Sequence, residues 1–330
     1  MTPEPAPIPV WRQLEQVPPQ RAVVTIGGFD GVHLGHQALL AAVRRAAQQH
    51  RARPVVVTFD PLPRAVLRGR QHNFYLTLAG EKVALLAEHG AQGVLLLSFT
   101  RELAAQPGRA FVAALHRRFQ FPCLCVGYNF ALGRNREGDV PALRAWGREM
   151  GYSVQVVGPI TVPGMGIVSS SRIREALYQG RVERAARLLG RPYRLSGPVV
   201  PGDARGRGLG FPTANVEPDA RKVRPANGVY AAWAWVGGQA YPAVVNIGHR
   251  PTFGAAPRPR VEAHLLDFHG DLYGQTLSLD FLQRLRAERA FPSVDALREQ
   301  IARDVQQARE VFAHVAPPSG VSAPFGPLSA

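Results

Sequence analysis

The 330-residue sequence is poor in cysteine and has no long apolar run. Its two cysteines, Cys123 and Cys125, are separated by one residue, which fits neither a disulfide framework nor a CxxC metal site. No apolar stretch reaches the ~18–20 residues of a membrane helix. The N-terminal residues also lack the basic start and apolar core of a secretory signal. These absences predict a soluble, cytoplasmic protein without membrane partners.

Lysine is also rare, although the formal net charge is +15. Lys82 and Lys222 are the only lysines, and arginines scattered along the chain supply the remaining positive charge. We interpret this pattern as a codon-composition bias. A basic RNA- or DNA-binding protein is the alternative, but the sequence contains neither RNP-like aromatic residues nor a helix-turn-helix string. The prediction is therefore that nucleic acid is not a partner.

The chain is long enough for two folded units, and 46% of its residues are hydrophobic. Residues 1–20 are rich in proline and are predicted to form a flexible arm. Residues 21–190 and 191–314 are predicted to be the two domains. Residues 315–330 are predicted to be a disordered tail.

The two domains have different patterns. In the first, short β-branched runs alternate with helical patterns, which predicts an α/β domain with a Rossmann-like parallel sheet. The string SSRIREALYQGRVERAARLLG at residues 170–190 is predicted to be one helix. Residues 197–285 contain short alternating strands broken by Gly and Pro, and a helical segment follows them. The second domain is therefore predicted to be mainly β, an antiparallel barrel or sandwich with a terminal helix.

The string GGFDGVHLGH at residues 27–36 follows the first predicted strand. Glycines let the backbone approach a phosphate, and the start of a helix attracts anions. The imidazoles of His33 and His36 could donate hydrogen bonds to phosphate oxygens. An HxxH pair beside glycines is also compatible with an ordinary turn or a zinc pair.

The longer pattern GxFDGVHxGH resembles the FMN adenylyltransferase half of the bifunctional riboflavin kinase/FAD synthetases. Three further strings resemble that family in order: TFDPLPRAVL at 58–67, VGYNFALGRNREGDVPAL at 126–143 and VSSSRIREAL at 168–177. The sequence departs from the family pattern at three positions, which are Leu62, Tyr128 and Leu132.

The resemblance implies residues that surround the substrates ATP and FMN. Those implied at the ATP phosphates are His33, His36, Gly28, Phe29, Gly35, Ser169, Ser170 and Arg174. Those implied near FMN and the triphosphate are Asp60 and Asn129. Because the FMN phosphate is already ionised, its attack on the α-phosphorus needs no protein base; positioning and charge stabilisation suffice, with Mg²⁺ bridging phosphates.

The second half contains VVPGDARGRGLGFPTANV at residues 199–216. Alone, this string is compatible with an ordinary glycine-rich turn. It is similar to the riboflavin kinase motif of the same family, and KVRPANGVYA, NIGHRPTF and VEAHLLDF follow in the family's order. His249 stands where the family often has Thr.

The resemblance implies that Thr213 and Asn215 ligate Mg²⁺ and the nucleotide, and that the segment from Gly202 to Phe211, which includes Gly210, covers the phosphates. It implies that Glu262 is the general base for the 5′-hydroxyl of riboflavin. From the alternation of its strand alone, the favoured interpretation of Glu262 is an outward-facing strand residue.

The resemblance thus implies a bifunctional enzyme that phosphorylates riboflavin to FMN in the C-terminal domain and adenylylates FMN to FAD in the N-terminal domain. An alternative keeps the kinase but gives the HxGH half another nucleotidyl acceptor. A homo-oligomer stays open.

Overall fold

The computed structural model describes residues 8–69, 72–202, 210–248 and 260–318. The chain divides into two compact units between Ser170 and Ser171. Sequence patterns had placed this boundary at residue 190. The difference arises because the helices just before residue 190 belong to the second unit. Among the described residues, no helix is both long and apolar enough to cross a membrane.

The first unit alternates strands and helices. Its strands are β1 (Val10–Trp11), β2 (Ala22–Ile26), β3 (Arg53–Phe59), β4 (Gly93–Leu97), β5 (Cys123–Gly127), β6 (Ala131–Leu132), β7 (Gly138–Asp139), β8 (Ser153–Val157), β9 (Thr161–Val162) and β10 (Gly166–Ile167). Its helices are α1 (Leu34–Gln49), α2 (Pro63–Arg68), α3 (Ala79–Glu88), α4 (Arg101–Ala105), α5 (Gly108–Phe119) and α6 (Val140–Met150).

Six of these strands form one parallel sheet in the order β1-β4-β3-β2-β5-β8. Strand β2 is buried along its whole length, as expected for a central strand covered on both faces. The strand order reverses between β2 and β5. Ligands of open α/β sheets bind at such a switch point, outside the carboxyl ends of the strands. The predicted Rossmann-like sheet is confirmed.

The prediction of a flexible arm over residues 1–20 is wrong for its second half. Val10 and Trp11 pair in parallel with β4, and Val17 is buried in the core of the sheet. A Cβ atom on Gly93 would come within 2.8 Å of the Trp11 ring, so the indole packs directly on β4. A two-residue strand is too short to produce a periodic pattern. Residues 1–7 of the predicted arm lie outside the described residues.

The second unit is mainly β. Its strands are β11 (Tyr193–Val200), β12 (Ala214–Val216), β13 (Gly228–Val236), β14 (Gln239–Gly248), β15 (Arg260–Leu265) and β16 (Thr276–Arg286). Its helices are α7 (Ser170–Tyr178), α8 (Val182–Leu189) and α9 (Val294–His314). The strands close into an antiparallel barrel in the order β11-β12-β15-β14-β13-β16. A barrel is therefore the correct choice between the two predicted architectures.

The single helix predicted for residues 170–190 is two helices. Gly180, between α7 and α8, has a φ of +72°, a left-handed conformation that glycine adopts easily and that ends a helix. The sequence pattern continues across this break because both helices have buried apolar faces.

The terminal helix α9 packs on the outside of the barrel. The Phe312 ring lies 4.8 Å from the Trp233 ring, centroid to centroid. Both carboxylate oxygens of the buried Asp304 accept hydrogen bonds from Arg286 at the end of β16. The predicted terminal helix is confirmed. Residues 319–330 of the predicted tail lie outside the described residues.

Candidate active sites

A glycine turn connects β2 to α1 at the carboxyl edge of the parallel sheet. Phe29, Gly31 and Val32 have positive φ angles of 47°, 85° and 39°. Non-glycine residues adopt this conformation rarely and at a cost, and such residues concentrate at ligand sites. The turn leads into the 16-residue helix α1, whose first backbone N–H groups form a site of positive potential.

His33 and His36 lie at the start of α1 with their rings stacked, 3.7 Å apart between centroids and inclined by 13°. His33 is the N-cap, and its Nδ1 accepts a hydrogen bond of 3.3 Å from the backbone N–H of His36. The hydrogen of neutral His33 is therefore on Nε2, which can donate. The HxGH histidines are thus held together as a pair.

His36 has an electrostatic environment that favours an anion. Burial, and then the charges of His33 and Lys82, hold the pKa of His36 well below its usual value. Its Nδ1 is buried and has no hydrogen-bond partner within the part of the chain that the structure describes. A phosphate oxygen at this nitrogen would both satisfy it and favour the protonated ring.

Two predicted glycines differ in what surrounds them. A Cβ atom on Gly35 would approach the His33 ring to 3.2 Å, so the absence of a side chain lets that ring pack against α1. A Cβ atom on Gly28 would meet only Leu62, at an ordinary 3.7 Å. Packing within the protein therefore explains why position 35 has no side chain, whereas position 28 has room for a Cβ atom.

The three departures from the family pattern have different environments. Leu62 is 3% exposed and packs with Phe74 and Tyr75. Leu132 packs against the core of the sheet, whereas Tyr128 is 45% exposed. Leu62 therefore has a packing role here.

Asp60 and Asn129 follow the carboxyl ends of β3 and β5, the two neighbours of β2. Asp60 is half-buried and Asn129 is exposed. Because β2 lies between their strands, these two side chains are placed on either side of the glycine turn, at one edge of the sheet.

The serine segment before α7 reaches the same turn. The Ser170 hydroxyl donates a hydrogen bond of 2.9 Å to the backbone carbonyl of Asp30. Ser169 precedes it and is half-buried. Arg174 lies one helical turn further along α7 and is buried. Ser170 thus contacts the turn, and Ser169 is its neighbour in sequence.

Sequence reasoning missed two buried charges at this edge, Asp30 and Lys82. The Asp30 carboxylate accepts hydrogen bonds from the backbone N–H groups of Leu76 and Thr77 at 3.0–3.2 Å. Lys82 Nζ donates to the carbonyl of Phe59 at 2.6 Å. Asp30 could have been found from its position inside the GGFDGVHLGH string. Lys82 could have been found because it is one of only two lysines in the sequence.

A row of polar side chains crosses three strands of the barrel. Asn215 on β12 lies opposite Glu262 on β15, and Glu262 lies opposite Asn246 on β14. Residues directly opposite in antiparallel strands point to the same face, with Cβ atoms about 4.5–5.5 Å apart. All three are half-buried, whereas their neighbours Val216 and Val261 are buried on the other face. The structure thus brings the predicted Asn215 and Glu262 together, and adds Asn246.

The glycine-rich loop is described at its two ends, and residues 203–209 lie outside the described residues. A Cβ atom on Gly202 would come within 2.0 Å of Asn215 Nδ2, so a side chain there would displace the amide. Gly210 has a φ of +87°, which glycine tolerates best. Position 249 also lies outside the described residues.

Thr213 is exposed, and β15 holds the segment that contains it. His264 Nδ1 donates a hydrogen bond of 2.7 Å to the Pro212 carbonyl, and the His264 and Phe211 rings make an edge-to-face contact at 5.5 Å. His264 thus connects the strand of Glu262 to the residue that precedes Thr213. Sequence reasoning missed this role.

The donors at this second site fit a hard cation. Thr213 and Asn215 offer a hydroxyl and an amide oxygen, and Glu262 lies opposite Asn215. Mg²⁺ prefers oxygen donors and is commonly held by few protein groups together with substrate phosphates. Within the described ranges no group of three or more His, Cys, Asp and Glu residues forms a metal site, so the phosphates would have to supply much of the charge.

Family comparisons match each half of the chain separately. The FAD synthetase family model matches residues 15–172, and the riboflavin kinase family model matches residues 189–312. A solved structure described as a macrolide-efflux protein from Streptococcus pneumoniae has a TM-score of 0.83 and 30% sequence identity, and the match covers 91% of this chain and 98% of that one.

Curated relatives match both halves together. The bifunctional riboflavin kinase/FMN adenylyltransferase of Escherichia coli (strain K12) is 41% identical over 303 residues, or 91% of this chain and 95% of that protein. The Bacillus subtilis (strain 168) protein of the same description is 33% identical over 298 residues, or 89% and 94%. The chain therefore belongs to the family of bifunctional riboflavin kinase/FMN adenylyltransferases, with the FAD synthetase part first and the riboflavin kinase part second.

Proposed function

We propose that this chain uses two separate ATP sites, one at the glycine turn of the parallel sheet and one at the polar row of the barrel. In the first, AMP passes from ATP to FMN at the glycine turn with His33 and His36. In the second, the γ-phosphate passes from ATP to riboflavin beside Glu262 and Asn215. The observation that supports this division best is the placement of the histidine pair at the carboxyl edge of the sheet, away in sequence from the polar row of the barrel.

In the first site, an oxygen of the FMN phosphate attacks the α-phosphorus of ATP, and the bond from that phosphorus to the β-phosphate oxygen breaks. Pyrophosphate leaves, and FAD remains. The attacking phosphate is already an anion, so no protein group removes a proton. His33 Nε2 and His36 would donate hydrogen bonds to phosphate oxygens as negative charge moves toward the leaving group.

The other predicted residues complete the first site. Gly28, Phe29 and Gly35 would shape the turn around the triphosphate. Ser169, Ser170 and Arg174 would hold the triphosphate, in keeping with the contact of Ser170 with the turn. Asp60 and Asn129, on either side of β2, would border FMN and the triphosphate.

In the second site, the 5′-hydroxyl oxygen of riboflavin bonds to the γ-phosphorus while the bond from that phosphorus to ADP breaks. The hydroxyl proton goes to the Glu262 carboxylate, because a neutral alcohol is a weak nucleophile. Thr213 and Asn215 would hold Mg²⁺, which when bound neutralises charge on the phosphates. Gly202 and Gly210, at the two ends of the loop, would leave room for the nucleotide.

The proposal also covers the metal ion, the ligands and the cellular location of the chain. The ATP-dependent family implies a divalent metal, and we assign Mg²⁺ from the oxygen donors. ATP, riboflavin and FMN are the proposed ligands. A cytoplasmic location and the lack of a nucleic-acid partner stay predictions from the sequence, and a homo-oligomer stays open.

The test separates the two sites by substitution. Wild-type chain with riboflavin, ATP and Mg²⁺ is expected to give FMN and FAD, which chromatography resolves. His36→Ala is expected to reduce FAD synthesis from FMN by about 10²–10³-fold, comparable to the loss of one transition-state donor, and to leave FMN formation unchanged. His50→Gln, at the other end of α1, is the matched control. Equal loss of both activities in His36→Ala would contradict the division.

A further inference from the structure

Both lysines of the chain are buried. Lys82 is 1% exposed and Lys222 is 2% exposed, although a lysine is almost never fully buried unless it is paired. All other basic residues apart from histidine are arginine. The compact ammonium of lysine and the planar guanidinium of arginine are not interchangeable in a confined space. A lysine kept inside this arginine-rich chain therefore indicates a position that needs a small buried charge.

Lys82 lies on α3 and reaches the carboxyl edge of the parallel sheet. Its Nζ donates a hydrogen bond of 2.6 Å to the carbonyl of Phe59, the last residue of β3. It also donates to the carbonyl of Gly28 at 3.4 Å, in the turn that follows β2. One ammonium group thus connects the ends of two neighbouring strands below the glycine turn.

The charges around Lys82 come from the turn, from the end of β3 and from α1. Burial lowers the pKa of Lys82 to about 8, while the carboxylates of Asp30 and Asp60 oppose that shift. On α1, His36 has its own pKa lowered by burial, by His33 and by Lys82. The Lys82 ammonium therefore disfavours a protonated His36 ring, and a polyanion above the two groups would favour the positive charge of both.

We propose that Lys82 is a positioning residue of the adenylyltransferase site, which holds the glycine turn in place and supplies a buried positive charge beneath the triphosphate of ATP. This inference rests on the proposed function of the first unit. Lys82 does not need to touch the nucleotide, because a charge in a poorly solvated interior acts over a longer distance than one in water.

A purely structural lysine would behave differently. Its removal would destabilise the first unit, but it would leave the pH dependence of FAD synthesis unchanged. A lysine that supplies charge makes kcat/KM for ATP in FAD synthesis decline as pH rises through its pKa of about 8 in the free chain, since the ammonium is then lost. The pH profile therefore separates the two roles.

The first test is Lys82→Met, which replaces lysine with an unbranched, uncharged side chain that is one heavy atom shorter. We expect kcat/KM for ATP in FAD synthesis from FMN to fall at least about 10-fold at pH 7 and its decline above pH 8 to disappear, while FMN formation is unchanged. Lys222→Met, at the other buried lysine, is expected to keep wild-type FAD synthesis and its pH profile. Wild-type FAD synthesis in Lys82→Met, or reduced synthesis with the wild-type pH profile, would overturn the inference.

The second test observes the wild-type chain and uses variants only to assign its signals. Wild-type chain labelled with ¹³C at the lysine Cε gives signals from only two lysines, and Lys82→Arg or Lys222→Arg assigns them. We expect α,β-methylene-ATP, which cannot transfer AMP, to raise the pKa of Lys82 and to leave that of Lys222 unchanged. An unchanged Lys82 pKa with nucleotide bound would overturn the inference. If wild-type chain makes no FAD, the proposed function fails instead.

Discussion

The imidazole rings of His33 and His36 are stacked with their centroids 3.7 Å apart. Two protonated rings at this distance would repel each other strongly in a buried environment. In the absence of an anion, protonation of one ring therefore disfavours protonation of the other. A bound phosphate would favour protonation of the pair. This relationship connects the HxGH string to the electrostatics of AMP transfer.

Nucleotide binding is expected to be coupled to protonation of His36. The pKa of His36 is held well below its usual value, so the ring is neutral at pH 7 before binding. A bound triphosphate favours the charged form and raises that pKa, which predicts proton uptake on binding and weaker binding as pH rises above the new pKa. Calorimetry with α,β-methylene-ATP in two buffers of different ionisation enthalpy measures the uptake. The same uptake in His36→Gln would contradict the prediction.

Glu262→Gln is expected to reduce FMN formation by about 10²–10⁴-fold, the range for loss of a general base. The amide keeps the size of the side chain and cannot accept the hydroxyl proton of riboflavin. FAD synthesis from supplied FMN is expected to continue at the wild-type rate. Glu299→Gln, whose side chain is 72% exposed on α9, is the matched control. A fully active kinase in Glu262→Gln would exclude the base assignment.

Gly202→Ala is expected to weaken the use of Mg²⁺ by the kinase. The added methyl group would come within 2.0 Å of Asn215 Nδ2 and would displace the amide from its place opposite Glu262. The expected result is a rise of about 10-fold or more in the Mg²⁺ concentration that gives half-maximal FMN formation, in line with the cost of disturbing groups around a metal. Magnesium titration of the initial rate measures it, and an unchanged midpoint would argue against Asn215 as a ligand.

The ion pair between Arg286 and Asp304 is expected to stabilise the barrel with α9. The side chains are 20% and 3% exposed, and Gln300 also donates to Asp304 at 2.7 Å. Asp304→Ala is expected to lower the free energy of unfolding by about 3–5 kcal/mol, because it leaves a partly buried guanidinium without its carboxylate. Urea unfolding followed by tryptophan fluorescence measures this loss.

The exposed ion pair of Arg309 with Asp267 is the comparison for that experiment. Its side chains are 48% and 70% exposed, and such pairs contribute little because solvent screens them. Asp267→Ala is expected to leave the urea midpoint unchanged. Similar effects of the two substitutions would show that the contact of Asp304 with Arg286 does not stabilise the unit.

Most of the sheet could be predicted because its strands and helices have strong local patterns. Strand β2 is buried throughout and apolar except for Thr25, as suits a strand covered on both faces, and α1 follows it with helical spacing. The pairing of Val10 and Trp11 with β4 could not be predicted, because two residues carry no period and their partners lie more than 80 residues away. The break between α7 and α8 at Gly180 could not be predicted, because the apolar helical pattern continues on both sides of it.

The motif residues of the site could be named from the sequence, but their neighbours could not. Lys82 lies inside a regular helical pattern, and only the packing of α3 brings its Nζ to the carbonyl of Phe59. Likewise, the position of Asn246 opposite Glu262 depends on the register between β14 and β15. Contacts of this kind arise from the tertiary fold.

The central claim is that one chain transfers two different phosphorus atoms of ATP from two sites. ATP carrying distinct labels at its α- and γ-phosphorus tests this most directly. Starting from riboflavin, we predict FAD with one α-derived and one γ-derived phosphorus, and FMN with the γ-derived label alone. Starting from unlabelled FMN, FAD should carry only the α-derived label. FMN that carries the α-derived label, or FAD from riboflavin that lacks either one, would contradict the account.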